Sequence, residues 1–350
     1  MKYFNTLILR CSLFMAGLLA TLNVTAQNQM PGRIHAGLIY PVSTNGTHAP
    51  ADTNYFSLHL VAGVSAAERG PSFAGISNIV RNDVKGPMFA GFSNHSGKDV
   101  DGALFAGFLN TYGGGTGPAF GGFANIATGD VTGAQFAGFS NFSRSVKGAQ
   151  FAGFINTAKD VNGSQFAGFI NIARKVKGAQ IAGFINIADS SDCPVGIINI
   201  IGNGEKSISA SIDETLTSML SFRSGGKVMY GIIGLGYNFK NKDAVYAAEA
   251  GLGAHFFESS YFRLNTEILS TTLTDFKRGS YFKGSLRMLP ALKIGDHLEL
   301  FAGPSLHFIT TNTAEGEKLR DKYLKKWPGD WDEDFRGLYI GYTGGIALRF

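Results

Sequence analysis

The chain has 350 residues, a net charge of +5 and only 16% charged residues, against 47 glycines and 29 phenylalanines. The positive charge is thinly spread and forms no basic stripe, so nucleic acid is not an expected partner. After the first 26 residues no stretch approaches the ~20 continuous apolar residues of a spanning helix, so passage through a membrane would have to use strands.

Residues 1–26 read as a secretory signal peptide. Lys2 and Arg10 supply the positive start, Leu13 to Ala20 the apolar run, and Val24-Thr25-Ala26 a small-residue cleavage site. Cys11 follows Arg10 and sits too early for a lipoprotein anchor. Removing the signal leaves Cys193 alone, so no intramolecular disulfide staples the fold. Cys193 itself reads as a small buried residue closing the repeat array.

Residues 27–65 hold two alternating segments, about 33–40 and 55–64, expected as the N-terminal strands of a barrel. In the second, Leu58, Leu60, Ala62 and Val64 alternate with Ser57, His59, Val61 and Gly63.

Residues 66–204 form a repeat domain. The phrase is Gly, two residues, Phe-Ala-Gly-Phe, one residue, Asn. Its first Phe falls at Phe73, Phe89, Phe105, Phe120, Phe136, Phe151 and Phe166, then becomes Ile181, and a last copy reads Val195-Gly196-Ile197-Ile198-Asn199. A fixed period of 15–16 residues predicts a β-solenoid of about nine coils. Stacked at ~4.8 Å, like residues lie over like. Asn78, Asn94, Asn110, Asn125, Asn141, Asn156, Asn171, Asn186 and Asn199 are therefore expected to form a structural ladder of amides. Asn amides are poor transition-metal ligands, so no metal row is read there. The first Phe column is placed in the interior. Phe92, Phe108, Phe123, Phe139, Phe154, Phe169 and Phe184 either turn inward at Ala-Gly or form an outer apolar stripe that something must cover. Glycines at 86, 102, 117, 133, 148, 163 and 178 mark a corner needing a permissive backbone. The segment Gly113 to Gly117 replaces the valine-bearing corner and is expected to break the stack locally.

The competing arrangement makes each repeat one membrane strand of a large porin-like barrel. The uniform linkers weigh against it, because barrels alternate short turns with long loops.

Residues 205–350 read as antiparallel barrel strands. The last one, ending on Phe350, alternates Leu338, Ile340, Tyr342, Gly344, Ile346 and Leu348 with Tyr339, Gly341, Thr343, Gly345, Ala347 and Arg349. A long alternating strand ending on Phe resembles the assembly signal of outer-membrane barrels. Similar strands precede it, Gly295-Asp296 is a minimal turn, and 310–336 is a long loop. With the two N-terminal strands the count is ten, and the solenoid becomes an insert in the barrel. The fold class is thus all-β: a β-solenoid combined with an antiparallel outer-membrane-type β-barrel.

The phrase Gly-Ala-Gln-Phe-Ala-Gly-Phe-Ile-Asn, its continuation into Pro194 to Asn199, the stretch Ile208 to Phe222, and Tyr40 to Gly46 resemble a family of uncharacterised surface-repeat proteins of Gram-negative bacteria. The resemblance implies a cell-envelope location and supplies no activity and no functional residues.

Catalytic and cofactor motifs are not found. There is no His-Glu-x-x-His zinc motif, and Gly202 to Ser207 lacks the Gly directly before Lys of a phosphate loop. Glu249, His255, Arg263 and Glu267 can meet inside a barrel, where such charges usually tie strands together. Trp327 and Trp331 lie in the long loop as interface anchors or as contacts for a protein or glycan partner. The expected protein is non-enzymatic, without cofactors, exported to the outer membrane or cell surface with membrane lipid as its partner. It acts as a scaffold or binding surface. A passive channel is the alternative, and an outer-membrane hydrolase a distant one.

Overall fold

A computed structural model describes residues 34–241, 244–276, 281–327 and 334–350. The expected signal segment and Trp331 lie outside the described residues. The chain is a β-solenoid of about ten coils followed by a closed eight-stranded antiparallel barrel.

Coil pairing is parallel and in register. Strand Ser145–Ala152 pairs residue for residue with Asp130–Ala137 before it and Asp160–Ala167 after it, placing Val146 between Val131 and Val161, and Phe151 between Phe136 and Phe166. A second short strand, Ile155–Thr157, stacks between Ser140–Phe142 and Ile170–Ile172. This is the solenoid. The all-barrel alternative, with adjacent repeats antiparallel, is not what the chain forms.

Within each eight-residue strand the backbone turns a corner through a glycine. Gly163 has φ of +141°, and a Cβ built on it would stand 1.8 Å from the carbonyl oxygen of Gly148 in the coil above. Both the torsion and the close approach exclude a side chain.

The interior is narrow, and this corrects the expectation that the first Phe column lies inside. Asn156 projects from the short strand and its Nδ2 donates to the backbone carbonyls of Phe166 at 2.7 Å and Gln150 at 3.3 Å. A space spanned by one Asn side chain has no room for a phenyl ring. The buried columns are instead Val84, Val100, Val131, Val146, Val161 and Val176, with Asn, Gln and Ala. Both Phe columns point outward.

The Gly113–Gly117 segment does not break the stack. Gly115 pairs between Val100 and Val131. The volume lost at that position is replaced by Tyr112, which is buried in the same cluster as Val100 and Val131.

The barrel count of ten is also corrected. Strand Ile34–Ile39 pairs in parallel with Phe56–Ser65, which pairs in parallel with the first repeat strands. These two strands cap the solenoid; they do not enter the barrel. The period-2 pattern was right, but it is shared by both architectures. The barrel is continuous in sequence: Glu205–Asp213, Thr217–Gly225, Met229–Asn238, Tyr246–Phe256, Phe262–Thr274, Tyr281–Ile294, Leu298–Thr311 and Phe335–Arg349. It closes where the first strand pairs antiparallel with the last, Ser207 opposite Arg349 and Asp213 opposite Thr343. The solenoid is therefore an N-terminal domain, not an insert. No helix among the described residues is long and apolar enough to cross a membrane.

Replacing Gly163 by Ala should destabilise the protein by about 3 kcal/mol, from strained torsion plus backbone collision. Replacing the outward Lys147 by Ala should change stability by under ~0.5 kcal/mol. Urea midpoints of the two variants check this.

Candidate functional site

The solenoid is held by two amide columns inside and presents two aromatic columns outside. In the inner column of nine asparagines, each Nδ2 donates to the Oδ1 of the next, from Asn78 to Asn94 at 2.9 Å through Asn186 to Asn199 at 2.8 Å. All nine are buried. Asn199 carries the column into the barrel: its Nδ2 donates to the carbonyl of Ser224 at 3.0 Å, and its backbone N–H donates to Ser224 Oγ at 2.9 Å.

A second ladder escaped the sequence reading. Gln150, Gln165 and Gln180 each donate from Nε2 to the Oε1 of the Gln one coil earlier, at 2.8, 2.8 and 3.1 Å, and Gln135 donates to Tyr112 Oη at 2.9 Å. The signal was the Gln directly before Phe136, Phe151, Phe166 and Ile181 in four successive copies. In earlier coils the same position is Met88, Leu104 and Ala119. The core thus changes from apolar to amide partway along the stack.

Outside, the rings of Phe73, Phe89, Phe105, Phe120, Phe136, Phe151 and Phe166 stack in parallel, with centroids 4.8–4.9 Å apart. The second ladder, Phe92 to Phe184, has the same geometry at 4.9–5.2 Å. Phe92 is 50% exposed and Phe169 37%. Each ring covers its neighbour's face, so edges remain for solvent. Beside the first ladder, the Ala-Gly pairs of successive coils form an open groove of about 1050 Å³, running from Leu58 and Leu60 to Ile181.

The opposite corner of the coil is charged. Arg69 pairs with Asp83, Arg144 with Asp130 and Arg174 with Asp160, each at 2.6–2.7 Å. These pairs are exposed, and each contributes little to stability. The coil is amphipathic across its outside, aromatic on one edge and ionic on the other.

At the first coil His35, Asn54, Ser57, His59 and Glu68 are all buried. The two imidazoles meet edge to face at 4.3 Å. Glu68 accepts from Ser57 at 2.8 Å and from Asn54 at 3.2 Å. Burial, with the neighbouring His35, lowers the His59 pKa to about 4, and burial raises that of Glu68. The cluster favours neutral forms and closes the coil end. Among the described residues no three His, Cys, Asp or Glu side chains are grouped to hold a metal.

Inside the barrel, Glu249, His255, Arg263 and Glu267 are all buried but fall into two groups. Glu267 accepts from Arg223 at 2.8 Å and Tyr230 at 3.0 Å, and Glu249 from Ser221 at 2.5 Å and Arg287 at 3.3 Å. Arg263 bridges Glu205 and Glu299 at 2.6 Å each, and His255 pairs with Asn265 at 2.7 Å. Lys283 pairs with Asp213. The groups tie strands across the lumen. At the far end Leu319, from the long loop, is buried in one cluster with Tyr281, Ile309 and Tyr339.

Trp327 is 37% exposed and stands near Phe308, with Lys325 over its ring at 4.8 Å. Cys193 is exposed, which corrects the expectation of burial. It lies where the last coil shortens, its strand taking two steps, Ser191 to Cys193, opposite three steps from Val176 to Ala179.

Comparison with protein-family models, curated proteins and solved structures gave no match.

Replacing Asn156 by Leu leaves Asn171 Oδ1 without its donor and takes a partner from Asn141, at a cost of about 2–3 kcal/mol. Thr157→Ala, on the outward side of the same strand, should cost under ~0.5 kcal/mol. Chemical denaturation of both variants makes the comparison.

Proposed function

We propose that the chain is a non-enzymatic cell-envelope protein of a Gram-negative bacterium, in which an outer-membrane barrel anchors a solenoid serving as scaffold and binding surface. The observation carrying this reading is the barrel's inverted polarity. Leu220, Leu235, Ile268, Leu292, Ile340 and Leu348 face outward and are 56–71% exposed, while Arg223, Glu267, Lys283, Arg287 and Glu299 are buried within. Water outside such a barrel would be in contact with an apolar belt far larger than a soluble monomer normally shows. Lipid outside it would be well matched.

Connection lengths support an orientation. Connections 226–228, 257–261 and 295–297 lie at the end bearing Phe350, and the longest connection leaves after Thr311 and re-enters at Phe335 at the other. Short turns belong on the periplasmic side, so the solenoid, joined at the Phe350 end, faces the periplasm. The resemblance to envelope repeat proteins and the signal-like residues 1–26 agree with export.

The packed, ion-paired lumen, with Leu319 buried among Tyr281, Ile309 and Tyr339 at its far end, favours an anchor over a passive channel. The solenoid's share of the function is its two aromatic ladders, a regular apolar surface of a size that marks an interaction site.

The full chain should fractionate with outer membranes and migrate faster on gels before boiling than after. Planar-bilayer recordings should show no steady conductance steps. Recovery as a soluble periplasmic protein would refute the anchor, and regular conductance steps would restore the channel.

A further inference from the structure

The groove beside the first Phe ladder has a lining that selects one kind of occupant. Its walls are Phe, Ala, Gly, Leu and Ile, and His59, at its upper end, turns its side chain into the coil against His35. The backbone donors there are already used. The N–H groups of Gly91, Gly107, Gly138, Gly153, Gly168 and Gly183 donate to alanine or glycine carbonyls of the coil above at 3.1–3.3 Å. An extended peptide laid in this groove would find no free N–H for its carbonyls, and a glycan no free N–H for its hydroxyl oxygens. Sugar rings also stack on aromatic faces, and here each face is covered by the next ring, with interplanar angles of 0–6°. A hydrocarbon chain needs no hydrogen bonds and fits.

The groove is long and leads toward the barrel's outside. From Phe73 to Ile181 it spans seven coil steps, roughly 34 Å at the sheet spacing. The column continues from Ile181 to Val195 in the last coil. Two residues on, the Ile197 backbone lies against Gly231: a Cβ on Gly231 would be 2.1 Å from the Ile197 carbonyl oxygen. Gly231 shares a strand with outward Leu235, part of the apolar belt. The groove therefore ends beside the surface that the membrane reading places against lipid.

We infer that this groove is a binding site for the acyl chain of a membrane lipid, held along the solenoid and continuous with the barrel's lipid-facing belt. The inference rests on the proposed membrane position of the barrel. No charged side chain lines the groove, so a chain lying in it buries apolar surface without desolvating ion pairs.

The test uses native membranes from cells making the full chain and fed palmitic acid that carries a diazirine in its chain. After illumination, adducts are mapped by mass spectrometry. Adducts are expected at Phe89–Gly91, Phe105–Gly107, Phe120–Gly122 and Phe136–Gly138, as well as on the belt around Leu220 and Leu235. Ala137→Trp, which fills the groove, and Phe136→Lys, which charges it, should each cut groove adducts roughly tenfold or more while belt adducts persist. Phe139→Lys, on the other ladder, should leave groove adducts intact and serves as the folding control. Belt adducts without groove adducts would overturn the site while supporting the membrane reading. Groove adducts without belt adducts would overturn the membrane reading alone. Groove adducts that survive both blocking variants, or crosslinks there to a second copy of the chain, would also overturn the site.

Discussion

The solenoid depends on one interaction, the asparagine amide that reaches across the coil and down the stack at once. Asn156 donates to Phe166 O on the facing wall and to Asn171 Oδ1 in the next coil, at 2.7 and 3.0 Å. The first bond sets the width of the interior and the second its repeat. A width of one Asn side chain leaves space for Val, Ala and amides, and it drives the phenylalanines outward. The outer ladders are thus a consequence of the inner one. Their stacking adds about 0.5–1.5 kcal/mol per pair at most, because the rings are only partly buried.

The barrel uses the same alternation with the opposite contents. Its outward residues are apolar and its inward ones are charged and mutually paired. The two domains meet through Asn199 and Ser224, so the last amide of the column finds a partner in the barrel rim where another coil would otherwise be needed. The exposed end that a solenoid must otherwise cap is covered by the barrel below. Above, it is closed by strand Ile34–Ile39 and the buried His35, His59 and Glu68.

Period and column identity were legible in the sequence because stacking places like residues over like. The 15–16-residue spacing located the coils, the corner glycines and the nine asparagines. Alternation located the barrel strands from 243 onward. Three features were not legible. Hydrophobicity alone placed the first Phe column inside, because the interior width is a property of the closed coil and no single repeat states it. Phe56–Ser65 reads identically as a barrel strand or a solenoid strand, since only its partner differs. The Gly113–Gly117 departure looked like a break because its compensation, Tyr112, sits in a different column. The groove was invisible for a related reason: Ala-Gly reads as a bend, and only stacking turns a row of bends into a channel along the surface.

If in-register stacking through the asparagine column is the organising constraint, coils are interchangeable units. Deleting residues 151–165 joins Gln150 to Phe166 and removes one coil, bringing Asn141 onto Asn171 with every column in register. The direct measurement is the fold and membrane assembly of that deletion, by circular dichroism and heat-modifiable migration. The expected result is an assembled protein with unchanged barrel migration and a modest loss of stability. Failure to assemble, with the barrel lost along with the coil, would contradict the account.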